Sequence, residues 1–186
     1  MKSRLECVPV EEAKRLGAEI GIGEAQASRS AFRMLANHPD LGKHVYGLLT
    51  MLSSRNKLPT RLRELIIMRL AWRAGAEYAW FQHYRIATQA GITPEEIVAV
   101  RDWRKADLFG PAEMAVLAAA DDTTEHGKIS DAVWAECERE LKEPAVLVEM
   151  VVAIGNWTMF AQLLNSLEVE IEAGATPWPP DGKAPK

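Results

Sequence analysis

The feature that most constrains this 186-residue chain is the rhythm of its apolar residues. They recur three, four and seven positions apart almost from end to end, and no segment sustains an alternation of period two. That spacing gathers side chains on one face of a 3.6-residue helix and offers no face on which to build a sheet. An all-α fold, a single-domain helical bundle, is therefore expected. The punctuation agrees. A first helix over Val10–Gly21 is broken by the glycine-containing stretch Gly21–Ser28, and a short helix over Ser30–Asn37 follows. His38-Pro39-Asp40 opens the next, with proline at the first position, where its missing N–H costs no hydrogen bond. Ser53–Lys57 reads as polar loop, and Leu58-Pro59-Thr60 leads into helices over Arg61–Gly75 and Ala76–Gly91. Thr93-Pro94-Glu95-Glu96 spells a capping box. Asp102–Gly110 reads as loop, followed by helices over Pro111–Glu125, Ser130–Leu141 and Pro144–Leu167. Gly174–Lys186, with four prolines, is expected to be an extended, loosely held tail. No linker divides residues 1–186, so one domain is expected.

Composition removes several function classes. With 48% hydrophobic and 26% charged residues the chain is that of a globular protein. A net charge of −4, with no basic cluster among aromatics, argues against nucleic acid as a partner. The two cysteines, Cys7 and Cys137, are far apart and in no CxxC arrangement, which disfavours a disulfide framework or a cysteine metal site and suits a reducing cytoplasm. The charged N-terminal stretch lacks an apolar run and does not read as a signal peptide. Met150–Ala161 is the most hydrophobic stretch; interrupted by Gly155 and Asn156, it reads as a buried core helix rather than a membrane span.

Two consecutive helices each hide one ionisable residue on an apolar stripe. Glu64 shares its face with Ile67, Met68, Ala71 and Gly75. His83 shares its face with Ala76, Ala79, Trp80, Ile86, Ala87 and Ala90. Burying such groups costs several kcal/mol unless they are paired, and a Glu and a His on facing helices of one hairpin offset that cost together. Burial disfavours the imidazolium and a neighbouring carboxylate favours it, a balance suited to general acid–base work near neutrality. A bland alternative stands beside each: a hydrogen-bonded core histidine, and a first-turn glutamate within reach of Arg61 or Arg63.

The run Leu58-Pro59, Arg63-Glu64-Leu65, Ala71-Trp72-Arg73-Ala74-Gly75-Ala76-Glu77-Tyr78, Trp80, His83 and Gly91-Ile92-Thr93-Pro94-Glu95-Glu96-Ile97 resembles the carboxymuconolactone decarboxylase family, which includes the alkylhydroperoxidase D-like proteins. The resemblance places the core module at about 58–100 and extends through Leu35–Pro39 and Asn156-Trp157 over most of the chain. It implies a helical fold assembled as a homo-oligomer, a trimer or hexamer, with the active site near a subunit interface. In the peroxidase branch two cysteines would stand at positions 76 and 79. Here those positions are Ala76 and Ala79, so thiol peroxidase chemistry is in doubt. The decarboxylase branch uses no metal and no organic cofactor. Its reaction, loss of CO2 from a lactone acid and reprotonation of the resulting dienolate, needs a proton donor.

The expected function is thus a cofactor-independent lyase acting on a small carboxylate or lactone, from aromatic or related catabolism. His83 would be the acid–base residue and Glu64 its partner. Tyr78, Trp80, Ala76, Ala79, Asn156 and Trp157 are candidate substrate contacts. Alternatives are a peroxidase-related antioxidant protein and a non-catalytic, ligand-binding helical oligomer. Glu149 and Asn156 share a stripe on the last helix, where they either line the pocket or bond one another. Glu77 reads as solvated or paired with Arg73, and His38 as a helix-start residue. No second ligand stands four residues from His83 on its face, so a metal site is not expected.

Overall fold

A computed structural model describes residues 3–185. Its helices are α1 (Val10–Glu19), α2 (Glu24–Ala27), α3 (Ser30–Leu35), α4 (Pro39–Ser54), α5 (Thr60–Arg73), α6 (Glu77–Gln89), α7 (Pro94–Ala99), α8 (Pro111–His126), α9 (Asp131–Leu141) and α10 (Pro144–Ser166), with a 3-10 turn over Val100–Lys105. Among the described residues there is no strand.

The helix starts follow the sequence punctuation closely. Prolines occupy the first turns of α4, α7, α8 and α10. Thr93 and Glu96 form the reciprocal capping box, and His38 caps α4, its Nδ1 accepting from the Leu41 N–H at 3.3 Å. Several boundaries differ from expectation. The first helix stops at Glu19, and the glycine-containing break itself contains α2. Helix α4 runs on to Ser54, into the segment read as loop, and Val100–Lys105 winds as a 3-10 turn into the expected loop over Asp102–Gly110. Helix α10, by contrast, follows the helix expected over Pro144–Leu167 and passes through Gly155 and Asn156 unbroken. One glycine costs a helix only about 1 kcal/mol, which the packed turns on either side outweigh. The result is a helix of 23 residues, long and apolar enough by length and composition alone to cross a bilayer, with much of its surface buried in the fold as expected of a core helix. Here it packs against α4, α5, α6, α8 and α9.

Helix α5 is the centre of the fold. Every residue from Leu62 to Ala71 is buried, because the helix is covered by α6, α8 and α10. Leu65, Met68 and Ala71 face an apolar cluster built with α1–α4, α6 and the C-terminal segment. Leu62, Ile66, Ile67 and Leu70 face a second cluster, built with α8, α9 and α10. A helix covered on all sides buries its ionisable residues too, and each must then find a partner. Arg69 meets Asp121 at 2.6 and 3.1 Å, and Asp121 also accepts from Trp103 Nε1 and Arg104.

The C-terminal segment is irregular but not loosely held. Trp178 is buried, packing against Trp72 and Trp80 with ring centroids 5.8 and 5.9 Å away. Trp80 Nε1 donates to the Pro179 carbonyl at 2.7 Å. Arg101 lies over the Trp72 ring and grips both oxygens of Asp181. The proline content that signalled a loose tail suppresses helix but does not prevent an aromatic anchor from docking.

Candidate active site

Helices α5 and α6 form a tight hairpin. Gly75, at φ +61°, supplies the left-handed backbone on which the chain reverses. The reversal sets Glu64 against His83, with Glu64 Oε2 2.8 Å from His83 Nδ1. Glu64 is fully buried. Its other oxygen, Oε1, accepts from Arg63 Nε at 3.0 Å and Nη2 at 2.9 Å. Arg63 Nη1 in turn donates to the Leu52 and Ser53 carbonyls at 3.1 and 3.3 Å, groups at the end of α4 that no intrahelical donor satisfies. The two sequence readings of Glu64, paired with arginine or paired with histidine, therefore hold together in one carboxylate. Arg61 is directed elsewhere, to Glu96 and Glu113.

The far side of the imidazole is engaged as well. Trp157 Nε1 donates to His83 Nε2 at 3.1 Å, and the two rings meet edge-on. Indole is only a donor, so Nε2 must present a lone pair, and the network assigns the ring proton to Nδ1, which donates to Glu64. Burial pushes the Glu64 carboxyl up, but the hydrogen bonds from His83 and Arg63 and the charge of Arg63, joined by that of His83 when its ring is protonated, outweigh it and hold the carboxyl below its usual range. What results is a buried chain, Arg63–Glu64–His83, with its basic nitrogen at the outer end. Chemically it can accept a proton at Nε2, stabilise the imidazolium against Glu64, and give the proton back.

That outer end meets a cavity of about 280 Å³. Of the residues proposed from sequence, His83, Tyr78, Ala79 and Trp157 line it, together with Ile86 and Phe160. Trp80, Ala76 and Asn156 do not. On α6 the residues at 78, 79, 82, 83 and 86 form the cavity stripe. Trp80 faces another side of the helix, fully buried against Trp72 and Trp178. Ala76 precedes the helix as its N-cap and is sealed in the core. Asn156 is buried beside Trp157, and neither its Oδ1 nor its Nδ2 has a partner among the described residues. Glu149, expected either at the pocket or bonded to Asn156, accepts instead from the Lys57 and Leu58 backbone N–H groups at 2.7 and 3.1 Å. Arg73 pairs with Glu125 rather than with Glu77.

Other cavity residues carry no signal in sequence. Gln82, Tyr46 and Arg29 line it, and Glu172 from the C-terminal segment braces it. Glu172 Oε1 accepts from Tyr78 Oη at 2.8 Å and from the Ser30 N–H at 3.2 Å. Its Oε2 accepts from Gln82 Nε2 at 2.7 Å. Burial pushes the Tyr78 hydroxyl far up, so it stays protonated and donates to Glu172. Among the described residues no three His, Cys, Asp or Glu side chains converge in a way that would hold a metal ion.

Residues 39–122 match the carboxymuconolactone decarboxylase (CMD) family, a longer segment than the module expected at 58–100. The fold is shared with several solved structures. A peroxidase-related protein with an alkylhydroperoxidase AhpD core, from Ralstonia eutropha JMP134, superposes with a TM-score of 0.75 at 15% identity, covering 92% of this chain and 93% of that one. The debrominase Bmp8, a cysteine-to-alanine variant in complex with 2,3,4-tribromopyrrole, gives 0.74 at 20% identity, covering 93% and 94%. A peroxidase-related protein from Silicibacter sp. TM1040 gives 0.73 at 14% identity, covering 92% and 90%. No curated protein matches the chain significantly. Glu64, Gly75 and His83 all fall inside the segment that matches the carboxymuconolactone decarboxylase family, within a helical fold of the AhpD type.

Proposed function

We propose that this protein is a cofactor-independent, lyase-type enzyme that acts on a small carboxylate or lactone by acid–base catalysis, with His83 as the proton carrier. The observation that carries this reading is the Arg63–Glu64–His83 chain, anchored in the core and ending in a ring nitrogen at the cavity wall. In a decarboxylation, the C–C bond to the carboxylate breaks and its electron pair enters the lactone's conjugated system as a dienolate. His83, loaded with a solvent proton at Nε2, then delivers that proton to carbon, and the neutral ring is reloaded from water. Glu64 keeps the ring oriented and stabilises its cationic form, while Trp157 gives up its hydrogen bond to Nε2 whenever that nitrogen is protonated.

Thiol chemistry has less support. Neither cysteine lines the cavity. Cys137 is buried with its thiol pushed up to about 11, chiefly by burial, and Cys7 is partly buried with its thiol also raised. Assembly as a trimer or hexamer is part of the same proposal. The uncovered apolar residues Val148, Val151, Val152 and Met159 of α10 support it.

The test is a turnover screen of wild type and His83→Asn against lactone acids, β-keto acids and hydroperoxides. Loss of an acid–base group costs about 10²–10⁴-fold, so His83→Asn should lose that much kcat on an acid or lactone while melting cooperatively. Unchanged turnover in the variant refutes the mechanism. Hydroperoxide turnover that a Cys7/Cys137 double replacement abolishes would establish thiol chemistry instead.

A further inference from the structure

The cavity has a second chemical end. Of the side chains lining it, Arg29 is the only one with a fixed charge, and no Asp, Glu or Lys joins it. Arg29 comes from the connection between α2 and α3 and is half-buried. Among the described residues its guanidinium makes no hydrogen bond and no ion pair, unlike Arg61, Arg63, Arg69 and Arg101 elsewhere in the fold. Tyr46 lines the same cavity, and its hydroxyl likewise has no hydrogen-bond partner among the described residues. Burial pushes that hydroxyl far up, opposed by the Arg29 charge close by, so it stands protonated as a donor. The one carboxylate that braces this region, Glu172, accepts from Tyr78, Gln82 and the Ser30 N–H and makes no ion pair with Arg29.

We propose that Arg29 and Tyr46 form an anion-binding subsite that grips a carboxylate of the substrate and sets specificity at this site. The inference rests on the reading of His83 as the reacting end of the same cavity. A guanidinium fork matches the two oxygens of a carboxylate, and a phenol supplies a third donor. The remaining walls are largely apolar, with Leu49, Ile86, Trp157, Phe160 and Leu164. At about 30 Å³ for each water displaced, a cavity of about 280 Å³ takes a single ring with small substituents rather than a nucleotide. The favoured ligand is therefore a monocyclic or similarly compact acid whose other charges, if any, lie at the His83 end.

A further constraint comes from the reaction. An arginine that holds a carboxylate stabilises the ground state, and it loses its partner if that carboxylate departs as neutral CO2. The group at Arg29 is accordingly retained through the reaction, and bond breaking takes place at the His83 end. Arg29 precedes the segment 39–122 that matches the family. The specificity element thus belongs to the N-terminal helices of this chain, which are laid over the hairpin that carries His83.

The experiment is calorimetric titration of benzoate and of neutral benzamide into the full-length wild type, Arg29→Gln, Tyr46→Phe and His83→Asn, with thermal melts confirming that each variant is folded. Loss of charge-assisted hydrogen bonds should weaken benzoate binding by about 10- to 100-fold in Arg29→Gln and by about 3- to 10-fold in Tyr46→Phe. Benzamide binding should be unchanged in Arg29→Gln. His83→Asn should keep benzoate affinity within about threefold. The subsite is overturned if wild type shows no saturable benzoate binding, if Arg29→Gln binds benzoate as wild type does, or if Arg29→Gln weakens both probes equally. The measurement involves no turnover. A subsite that binds benzoate through Arg29 in a protein whose His83→Asn variant retains full turnover would separate failure of the mechanism from failure of the subsite.

Discussion

Arg63→Met removes the charge that compensates Glu64 while keeping a side chain of similar reach. Arg63 and Glu64 are both buried, with side chains 4% and 1% exposed. The substitution deletes two donors to Oε1 and leaves the Leu52 and Ser53 carbonyls without their side-chain donor. Breaking a buried ion pair by removing one partner costs about 3–5 kcal/mol. For a chain of this length each kcal/mol is worth about 2–4 °C, so the melting temperature at pH 7 should fall by about 6–20 °C. An exposed control, Arg15→Met, breaks only the surface pair with Glu19 and should cost under about 1 kcal/mol.

The acid limb gives a second readout. The folded-state pKa of Glu64 lies below its ordinary value of 4.5. The unfolded chain therefore binds more protons between the two values, and stability rises with pH through that window. Glu64 contributes fully above 4.5, and its contribution is lost as pH falls through the depressed folded value. In Arg63→Met only His83 opposes burial, the folded value moves up, and acid unfolding should begin at higher pH than in wild type. The double variant Arg63→Met/Glu64→Leu removes both charges and should recover most of the loss, since an apolar replacement of a whole buried pair is often neutral. Thermal melts from about pH 3 to about pH 8, spanning the ordinary carboxylate range, would decide the matter. The reasoning fails if Arg63→Met costs no more than Arg15→Met, or if the double variant is no more stable than the single.

Trp178→Ala should destabilise by about 3–5 kcal/mol, since it deletes a buried aromatic between Trp72 and Trp80; a thermal melt reading under about 1 kcal/mol would mean that the C-terminal segment does not dock in solution. Asn156→Leu replaces a buried amide whose two polar atoms lack partners, so a melt should show a change between neutral and about 2 kcal/mol of stabilisation, and a clear loss would reveal a partner such as a subunit contact or ordered water. Cys137, buried with its thiol raised to about 11, should react with a thiol reagent only at the rate of unfolding under native conditions, a rate that mass spectrometry of the quenched reaction would read.

The Glu64–His83 pair is legible in the sequence because it depends on local geometry. Glu64 and His83 lie on adjacent helices joined by a short glycine turn, and helical period alone puts each on a stripe that must be buried. Trp157 was accessible for the same reason, one position after an amide on an apolar helix. The expected contacts that fall outside the cavity share one cause. Trp80 and Ala76 lie close to His83 on the stripe, but a helix face spans more than one environment, and only the neighbours decide where it divides. Trp72 and Trp178 claim Trp80 for the core, leaving 78, 79, 82, 83 and 86 for the cavity. Arg29, Tyr46 and Glu172 come from segments remote in sequence from the hairpin, and no local pattern relates them to it.

By itself, then, the sequence determined the helical class, most helix starts, and the Glu64–His83 hairpin, because propensity, proline and glycine stereochemistry and the 3.6-residue period act over a few residues. Only the tertiary structure decided that Arg63 completes the buried chain, that Trp157 caps Nε2, that Trp178 ties down a proline-rich end, and that Arg29 stands uncompensated in the cavity. Those outcomes depend on which surfaces meet across long stretches of chain, where desolvation makes a charge without a partner costly and a paired one tolerable.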